Sequence, residues 1–317
     1  MENFFSIRDL DNLQEMVQKA KEVKAQPLSN KELGKNKTLG LIFFNPSLRT
    51  RLSSQKAAYN LGMDVITLNV GSDGWTLESK EGAVMNEGKT EHVKEAAMVV
   101  SQYCDVIGIR CFAGLEDRIE DYQENVLRGF MEHATVPIVN LESSTLHPLQ
   151  SFADLITIET HKKTARPKVV LTWAPHPKAL PQAVPNSFVE WMTFADVDFI
   201  VTHPAGYELA PRYRAEAAIE YDQEKALKDA DFVYAKNWSS FEEYGEIIPT
   251  DKNWTITQEK MNLTNNAKFM HCLPVRRNVI VTDEVLDGEN SLHIEQAANR
   301  VVSMQTILQE ILLKKDA

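Results

Sequence analysis

Residues 38–51 read TLGLIFFNPSLRTR, and they contain the pattern from which the fold class is predicted. The apolar run Thr38–Phe44 predicts a buried strand. Pro46 stops that strand, and the serine that follows it is a good N-cap for a helix predicted over Ser47–Leu61. A buried strand that passes at once into a helix is the unit from which α/β proteins are built.

The start of this predicted helix has the chemistry of an anion site. Its first backbone N–H groups lack partners within the helix, and the helix dipole adds partial positive charge there. Arg49 and Thr50 contribute a charged donor and a hydroxyl, which suit a phosphate. Many Ser-x-Arg strings are only capped helices with solvated arginines. Here the position at the carboxyl end of a strand, where open α/β sheets bind ligands, favours binding.

The alternation of strands and helices continues along the chain. Further strands are predicted over Asp64–Leu68, Asp105–Arg110, Val136–Val139, Lys168–Trp173, Val197–Thr202, Phe232–Ala235 and Phe269–Cys272. Helices are predicted over Ile7–Lys24, Glu91–Tyr103, Leu115–Glu132 and His293–Lys314. The strands are rich in Val and Ile, as in parallel sheets that are covered on both faces. The sequence therefore predicts an α/β fold of two parallel-sheet domains with an active-site cleft between them.

The break between the two sets of elements lies near residues 142–150. We expect a first domain over 1–145, a second over 146–292, and a C-terminal helix over 293–317 that joins the first. The length of 317 residues also favours about two domains.

Composition limits the possible partners and compartments. The chain has 34 basic and 45 acidic residues, a net charge of −11, which argues against nonspecific nucleic-acid binding. No apolar run approaches the roughly 20 residues that span a bilayer, and the N-terminus lacks a secretory pattern. The three cysteines form no CxxC pair and suit a reducing compartment. We therefore expect a cytoplasmic protein that binds neither nucleic acid nor membrane.

Several common cofactor motifs are absent from the sequence. Residues 81–90 (EGAVMNEGKT) resemble a P-loop but place five residues between the glycines, where that motif needs four. The absence of GxGxxG argues against a dinucleotide enzyme. The absence of HExxH and of paired cysteines argues against a zinc site.

Polar residues follow the predicted strands of the first half. Arg110 closes one strand, and His147 precedes a proline that can begin a helix. The histidine could polarise a carbonyl, and Glu142 could orient an amine or amide. The alternatives are a strand-terminal arginine, a structural imidazole and a solvated carboxylate.

The second half repeats this pattern. His176, Lys236, Cys272 and Arg276 all follow predicted strands. Each alone is more often a loop residue than a ligand, and their recurrence at strand ends is what favours a site. A nucleophilic role for Cys272 is weak, because a buried cysteine usually behaves as a small hydrophobe.

The chain resembles the aspartate/ornithine carbamoyltransferase family in three motifs, which occur in the family's order and approximate spacing: Ser47-Leu48-Arg49-Thr50-Arg51, His147-Pro148-Leu149-Gln150 and His271-Cys272-Leu273-Pro274. The resemblance covers essentially the whole chain, including Asn299-Arg300 in the last helix. It implies a carbamoyl-phosphate domain and an amino-acid domain, assembled as a homotrimer with active sites between subunits. It also implies that no metal or organic cofactor takes part.

The resemblance further implies residue roles. Carbamoyl phosphate would be bound by Ser47, Leu48, Arg49, Thr50, Trp75, Arg110, His147, Gln150, Cys272, Leu273 and Arg300. The catalytic residues among these would be Arg110, His147, Thr50 and Cys272. Donors at the carbonyl oxygen would stabilise the charge that develops there as an amine attacks.

Departures from the family pattern point to its N-acylornithine branch. Ornithine enzymes have an Asp-x-x-x-Ser-Met-Gly segment that binds the free α-amino group, whereas residues 235–241 read AKNWSSF. Aspartate enzymes use a lysine in the mobile loop, where this chain has Trp75. By resemblance to that branch, Trp75 would reach in from a neighbouring subunit, and the proline-rich loop near 178–185 would form part of a knot. The acylated amino acid would be contacted by Glu142, His176, Lys236, Arg276 and Thr90.

Two positions favour N-succinylornithine over N-acetylornithine as the acceptor. Acetyl enzymes have a glutamate where this chain has Thr90, and a carboxylate there would repel the succinyl group. They also have a lysine, which can be carboxylated, where this chain has Ile280. Succinyl enzymes typically have proline at the first position, so Thr90 is itself a departure. The expected reaction gives N-succinyl-L-citrulline and phosphate, in arginine biosynthesis.

Three alternatives remain open at this point. They are an N-acetylornithine carbamoyltransferase, a non-catalytic relative that regulates a partner, and a knotted RNA methyltransferase. The presence of Arg49, Thr50, Arg110, His147 and Arg300 argues against the non-catalytic relative. The acidic charge argues against the methyltransferase.

Overall fold

The computed structural model describes residues 1–73, 75–86, 88–214, 217–250 and 253–315. The chain forms two compact units. Unit 1 comprises Met1–Gly114, Arg118–Leu149 and the residues from Arg300 onward. Unit 2 comprises Leu115–Asp117 and Gln150–Asn299.

Unit 1 contains a four-stranded parallel sheet. The strands of this unit are β1 (Thr38–Phe43), β2 (Asp64–Asn69), β3 (Leu77–Glu78), β4 (Glu91–His92), β5 (Val106–Arg110) and β6 (Ile138–Glu142). The sheet has the order β2-β1-β5-β6, and β3 pairs with β4 in a separate parallel ribbon. Phe43 at the end of β1 lies beside Arg110 at the end of β5. The loop that follows β1 is therefore next to Arg110.

Helices of unit 1 lie before and between these strands in the sequence. They are α1 (Leu13–Ala25), α2 (Leu48–Asn60), α3 (Val93–Val100), α4 (Arg118–Gln123) and α5 (Asn125–His133). One apolar cluster of this unit joins α3 and α5 to the sheet through Val93, Leu127, Phe130 and Ile107. This packing holds the carboxyl ends of β1 and β5 on a rigid base.

Unit 2 contains a five-stranded parallel sheet of order β11-β10-β7-β8-β9. Its strands are β7 (Lys168–Trp173), β8 (Asp198–Thr202), β9 (Ala218–Glu220), β10 (Phe232–Lys236) and β11 (Lys268–Met270). The remaining helices are α6 (Pro148–His161), α7 (Ala183–Phe194), α8 (Pro211–Arg214), α9 (Gln223–Leu227), α10 (Gln258–Met261), α11 (Asp283–Leu286) and α12 (His293–Lys315). Within the described ranges, no helix has the length and apolar character needed to cross a membrane.

The predicted α/β class with parallel sheets is confirmed. The single helix predicted over Leu115–Glu132 is wrong, because the chain forms α4 and α5 with Glu124 between them in a left-handed conformation, φ 51°. The helix predicted from Glu91 begins only after a short strand, β4. The three-residue strand β9 was not predicted, since so short a run has no measurable periodicity.

Candidate active site

The start of α2 is capped by Ser47. Its backbone is extended, and its side-chain oxygen accepts a hydrogen bond of 3.3 Å from the backbone N–H of Thr50. The Leu48 side chain is exposed, and its backbone N–H belongs to the first turn of α2. The Nε atom of Arg49 is buried and has no hydrogen-bond partner in the part of the chain that the structure describes. A buried guanidinium N–H without an acceptor is costly, which favours an anion at this position.

Arg110 is held on several sides at the carboxyl end of β5. Its Nη1 donates to the carbonyl oxygens of Asn45 at 2.9 Å and Pro46 at 3.1 Å. Its Nε and Nη2 donate to one oxygen of Glu142 at 3.1 and 2.9 Å. The Phe112 ring lies 4.6 Å from the guanidinium carbon. These contacts fix the guanidinium plane, and they depend on backbone carbonyls that sequence patterns do not reveal.

A chain of short contacts connects Glu142 to the start of α2. The same Glu142 oxygen lies 3.6 Å from Nε2 of His147. This His147 nitrogen lies 3.4 Å from Nη2 of Arg300, and Arg300 donates a bond of 2.7 Å to the Thr50 hydroxyl. Arg110, Glu142, His147, Arg300 and Thr50 thus form one group, buried except for the partly exposed Glu142, which we call the unit 1 polar cluster. Sequence reasoning named all five residues but not their contacts.

The loop before His147 is fixed by Glu124, a residue that sequence reasoning missed. Thr145 donates from its backbone nitrogen at 3.0 Å and from its hydroxyl at 2.9 Å to the Glu124 carboxylate. The Ser143 hydroxyl accepts from the backbone N–H of Leu146 at 3.1 Å. An acidic residue inside a helix-like pattern gives no signal for this role, because its partners lie 21 residues away.

The ribbon of β3 and β4 holds Trp75 and Thr90. Trp75 donates from its indole nitrogen to Glu91 at 2.8 Å and packs against the apolar cluster of unit 1. The Thr90 hydroxyl donates to the Thr76 carbonyl at 2.8 Å and accepts from the Thr76 backbone N–H at 3.0 Å. These contacts close the base of the loop. The predicted contribution of Trp75 to a neighbouring subunit stays a prediction.

Unit 2 holds Gln150 and the Cys272–Leu273 segment in buried positions. Gln150 donates from its side-chain nitrogen to Asp154 at 2.7 Å. Its side-chain oxygen is buried without a hydrogen-bond partner among the described residues. The backbone N–H of Leu273 donates to Nδ1 of His271 at 2.9 Å. The strand predicted to reach Cys272 ends at Met270, because the His271 N–H bonds a side chain instead of the sheet.

His176 and Arg276 contact each other in unit 2. Nε of Arg276 donates to Nε2 of His176 at 3.2 Å, and Nδ1 of His176 lies 2.8 Å from the Lys178 carbonyl oxygen. Burial lowers the pKa of His176, and the positive charges of Arg276, Lys236 and Lys178 lower it further, while the backbone hydrogen bond opposes this. The imidazole is therefore neutral near pH 7, and its surroundings are electropositive.

Two family models match the chain. The model for the aspartate/ornithine carbamoyltransferase carbamoyl-phosphate binding domain matches residues 2–160, and the model for the Asp/Orn binding domain matches residues 181–311. The chain belongs to the aspartate/ornithine carbamoyltransferase family. Among the described residues, no three His, Cys, Asp or Glu side chains are grouped so that they could hold a metal ion.

Relatives within this family are similar over nearly their full lengths. N-succinylornithine carbamoyltransferase of Bacteroides thetaiotaomicron is 53% identical, over 98% of this chain and 99% of that protein. N-acetylornithine carbamoyltransferase of Xylella fastidiosa is 37% identical, over 90% and 91%. A glutamate-to-valine mutant of N-acetyl-L-ornithine transcarbamylase, complexed with carbamyl phosphate and N-succinyl-L-norvaline, has a TM-score of 0.92 and 34% identity, with 98% and 100% coverage.

Proposed function

We propose that the chain transfers the carbamoyl group of carbamoyl phosphate to the side-chain amine of N-succinyl-L-ornithine, which gives N-succinyl-L-citrulline and phosphate in arginine biosynthesis. The observation that carries this proposal is the unit 1 polar cluster at the start of α2. The 53% identity to an N-succinylornithine carbamoyltransferase supports the choice of acceptor.

The phosphate of carbamoyl phosphate would lie at the start of α2. Backbone N–H groups of the first turn and the helix dipole favour an anion there. Arg49 carries a buried Nε atom that a phosphate oxygen would satisfy. We assign Ser47, Leu48, Arg49 and Thr50 to this contact, Leu48 through its backbone.

The carbonyl oxygen of the carbamoyl group would receive hydrogen bonds from Arg110, His147 and Thr50. Arg110 is oriented by Glu142 and by two backbone carbonyls, so little reorganisation accompanies the reaction. Donors fixed in advance at an oxygen that becomes negative are each worth about 3 kcal/mol of transition-state stabilisation. We place Gln150, Cys272, Leu273 and Arg300 around the same group.

The reaction needs no covalent intermediate on the protein. The neutral amine of the acceptor forms a C–N bond with the carbonyl carbon. The C–O bond to phosphate then breaks, and the bonding pair leaves with the phosphate. That phosphate takes the proton lost by the amine, so no dedicated protein base is required.

The acceptor has two carboxylates, which fit the electropositive surroundings of His176. Arg276 and Lys236 supply this positive charge, which adds to the larger effect of burial in lowering the pKa of His176. We assign both residues, with His176, to the acylated amino acid. Glu142 would contact it as well, next to Arg110.

Thr90 and Ile280 support a succinyl acceptor. A threonine brings no negative charge against the distal succinyl carboxylate. Ile280 is buried in an apolar cluster, whose side chains offer no polar partner to a carboxylated lysine. Mutants of the acetyl enzyme in which a glutamate is replaced by alanine, serine or proline have been crystallised with N-succinyl-L-norvaline, which agrees with this reasoning.

We further propose that the protein is a cytoplasmic homotrimer in which Trp75 completes the carbamoyl-phosphate site of a neighbouring subunit. The chain would also carry the knot of the N-acylornithine branch.

Product formation from carbamoyl phosphate with ornithine, N-acetylornithine and N-succinylornithine in parallel tests the proposal. We expect turnover with the succinyl compound only. The Thr90→Glu variant should lose that activity, because its carboxylate repels the succinyl carboxylate. Glutamine has the shape of glutamate without the charge, so Thr90→Gln should keep most of the activity. Preference of the unmodified enzyme for N-acetylornithine would overturn the assignment of the acyl group, and no turnover with any acceptor would overturn the enzyme activity.

A further inference from the structure

Unit 2 contains a buried carboxylate outside the residues assigned to either substrate. Asp154 lies on α6, one helical turn after Gln150, and its side chain is fully buried. One of its oxygens accepts two hydrogen bonds of 2.7 Å, from the side-chain nitrogens of Gln150 and Gln296. A buried carboxylate is costly unless its partners compensate it, so its presence here calls for a reason.

The network that begins at Asp154 continues to the Cys272–Leu273 segment. The side-chain oxygen of Gln296 accepts a bond of 2.9 Å from the backbone N–H of His271. Nδ1 of His271 in turn accepts from the backbone N–H of Leu273 at 2.9 Å. One oxygen of Asp154 therefore bonds Gln150 directly and is connected through Gln296 to the Cys272–Leu273 segment. Both of these parts of the chain are assigned to the carbamoyl group.

The contact with Asp154 decides which end of the Gln150 amide faces the substrate. A carboxylate oxygen that accepts two N–H bonds attracts the amide NH2 and repels the amide oxygen. The Gln150 oxygen is consequently directed away from Asp154, and it is buried without a hydrogen-bond partner among the described residues. An acceptor of this kind suits the carbamoyl NH2 group, which carries only donors.

The same carboxylate influences Tyr234 on β10. The pKa of Tyr234 is raised well above its usual value, chiefly because the side chain is completely buried, and further because Asp154 and Cys272 lie beside it. The phenol therefore stays neutral and adds no charge to the network.

We propose that Asp154 is a positioning residue for carbamoyl transfer: it fixes the amide orientation of Gln150 and, through Gln296, the backbone of His271–Leu273. This inference rests on the proposed function, since it assigns Gln150 to the carbamoyl group. Asp154 itself does not touch the substrate.

The test compares Asp154→Leu with Asp154→Asn. Leucine has a similar shape but no acceptor, so both glutamine amides become free to turn. We expect kcat/KM for carbamoyl phosphate to fall about 10- to 100-fold, as small displacements of substrate-positioning groups do. Asparagine keeps an acceptor oxygen with two lone pairs, and this variant should recover most of the loss.

Thr160→Val is the matched control. Thr160 lies on the same helix, and its hydroxyl donates to the Ile156 carbonyl at 2.7 Å. This variant loses a hydroxyl from α6 and should leave the KM for carbamoyl phosphate unchanged. Thermal unfolding of every variant separates a loss of fold from a loss of positioning.

The outcomes separate this inference from the proposed function. No turnover by the unmodified enzyme would refute the proposed function and the inference with it. Normal turnover by the unmodified enzyme and by folded Asp154→Leu would refute the inference alone.

If Asp154→Leu does not fold, Gln296→Met tests the connection from Asp154 to His271, since it removes the acceptor of the His271 N–H. We then expect at least a tenfold rise in KM for carbamoyl phosphate, and an unchanged KM would overturn the proposal.

Discussion

Arg300 donates a hydrogen bond of 2.7 Å to the hydroxyl of Thr50, although 250 residues separate them in the sequence. Both side chains are buried in unit 1, at 5% and 1% exposure. The bond places a guanidinium at the start of α2, next to the cap that Ser47 provides. It therefore joins the last helix of the chain to the proposed phosphate site.

Replacement of Thr50 by valine should test this bond. The variant has nearly the same shape but leaves a buried Arg300 donor without this acceptor, which costs about 1–3 kcal/mol of stability. We also expect kcat/KM for carbamoyl phosphate to fall by about two orders of magnitude, because a donor at the carbonyl oxygen is lost. Thr50→Ser keeps the hydroxyl and should lose less than tenfold. Equal losses in steady-state kinetics of the two variants would contradict this role.

The pairing of Arg110 with Glu142 predicts that a second substitution can restore stability without restoring activity. Arg110→Met removes one member of a largely buried pair and should destabilise unit 1 by about 1–3 kcal/mol. Arg110→Met combined with Glu142→Gln removes the charges of both partners and should recover much of that stability. Neither variant should recover carbamoyl transfer. Urea unfolding measured beside product formation checks this, and a double variant that regains activity would show that Arg110 is only structural.

Trp75 should matter more for activity than for folding. Trp75→Ala loses the indole contact with Glu91 and part of the packing against the apolar cluster. We expect the circular dichroism spectrum to stay unchanged while the rate of carbamoyl transfer falls more than a hundredfold. The reason is that the proposed carbamoyl-phosphate site of a neighbouring subunit loses the side chain that helps to position the substrate. Trp75→Phe keeps an aromatic ring and serves as the control. Full activity in Trp75→Ala would mean that this residue does not complete the site.

The lowered pKa of His176 predicts a dependence on pH. In the unfolded chain this group titrates near its ordinary value of 6.5, and in the folded protein it titrates lower. As pH falls below 6.5, the unfolded chain takes up the proton first, so stability is lost with acidification. Protonated His176 also cannot accept from Arg276. In the folded enzyme the imidazole is protonated only below its lowered pKa, so KM for the acylornithine should rise at a lower pH than that at which stability begins to fall.

His176→Asn provides the comparison for this prediction. Its stability should depend less on pH between about 5 and 7, the range set by the ordinary histidine pKa, and its KM should lack the rise at lower pH that protonation of folded His176 causes. Chemical denaturation and initial rates at several pH values measure both. Parallel pH profiles for the two proteins would rule out His176 as the titrating group.

Ile280 marks a position where a charge is not tolerated. Its side chain is 1% exposed and packs in the apolar cluster that contains Ile256, Val281 and Val285. A buried lysine shifts its pKa by about 3–5 units, so Ile280→Lys should cost about 4–7 kcal/mol. Ile280→Val should cost only about 1 kcal/mol. A lysine variant with unchanged thermal stability would mean that the side chain finds a partner or reaches water.

Much of the fold followed from local sequence patterns. The run from Thr38 to Ser47 contains an apolar strand, a proline and a capping hydroxyl, and each acts within a few residues. The break at Glu124 was not predictable, because the carboxylate takes up its position to accept from Thr145, far away in the sequence. Short elements such as β9 carry too few residues to show a period.

Spacing and side-chain chemistry were enough to predict the alternation of strands and helices, the cap of α2 and the residue types that suit an anionic substrate. Which of these groups contact one another depends instead on how the chain packs. Arg300 reaches Thr50, Glu142 orients Arg110, and Asp154 orients Gln150 because burial removes water and leaves each polar group to find a protein partner. Those partners come together through the order of the parallel strands and the packing of helices on them, and no local pattern in the sequence specifies that arrangement.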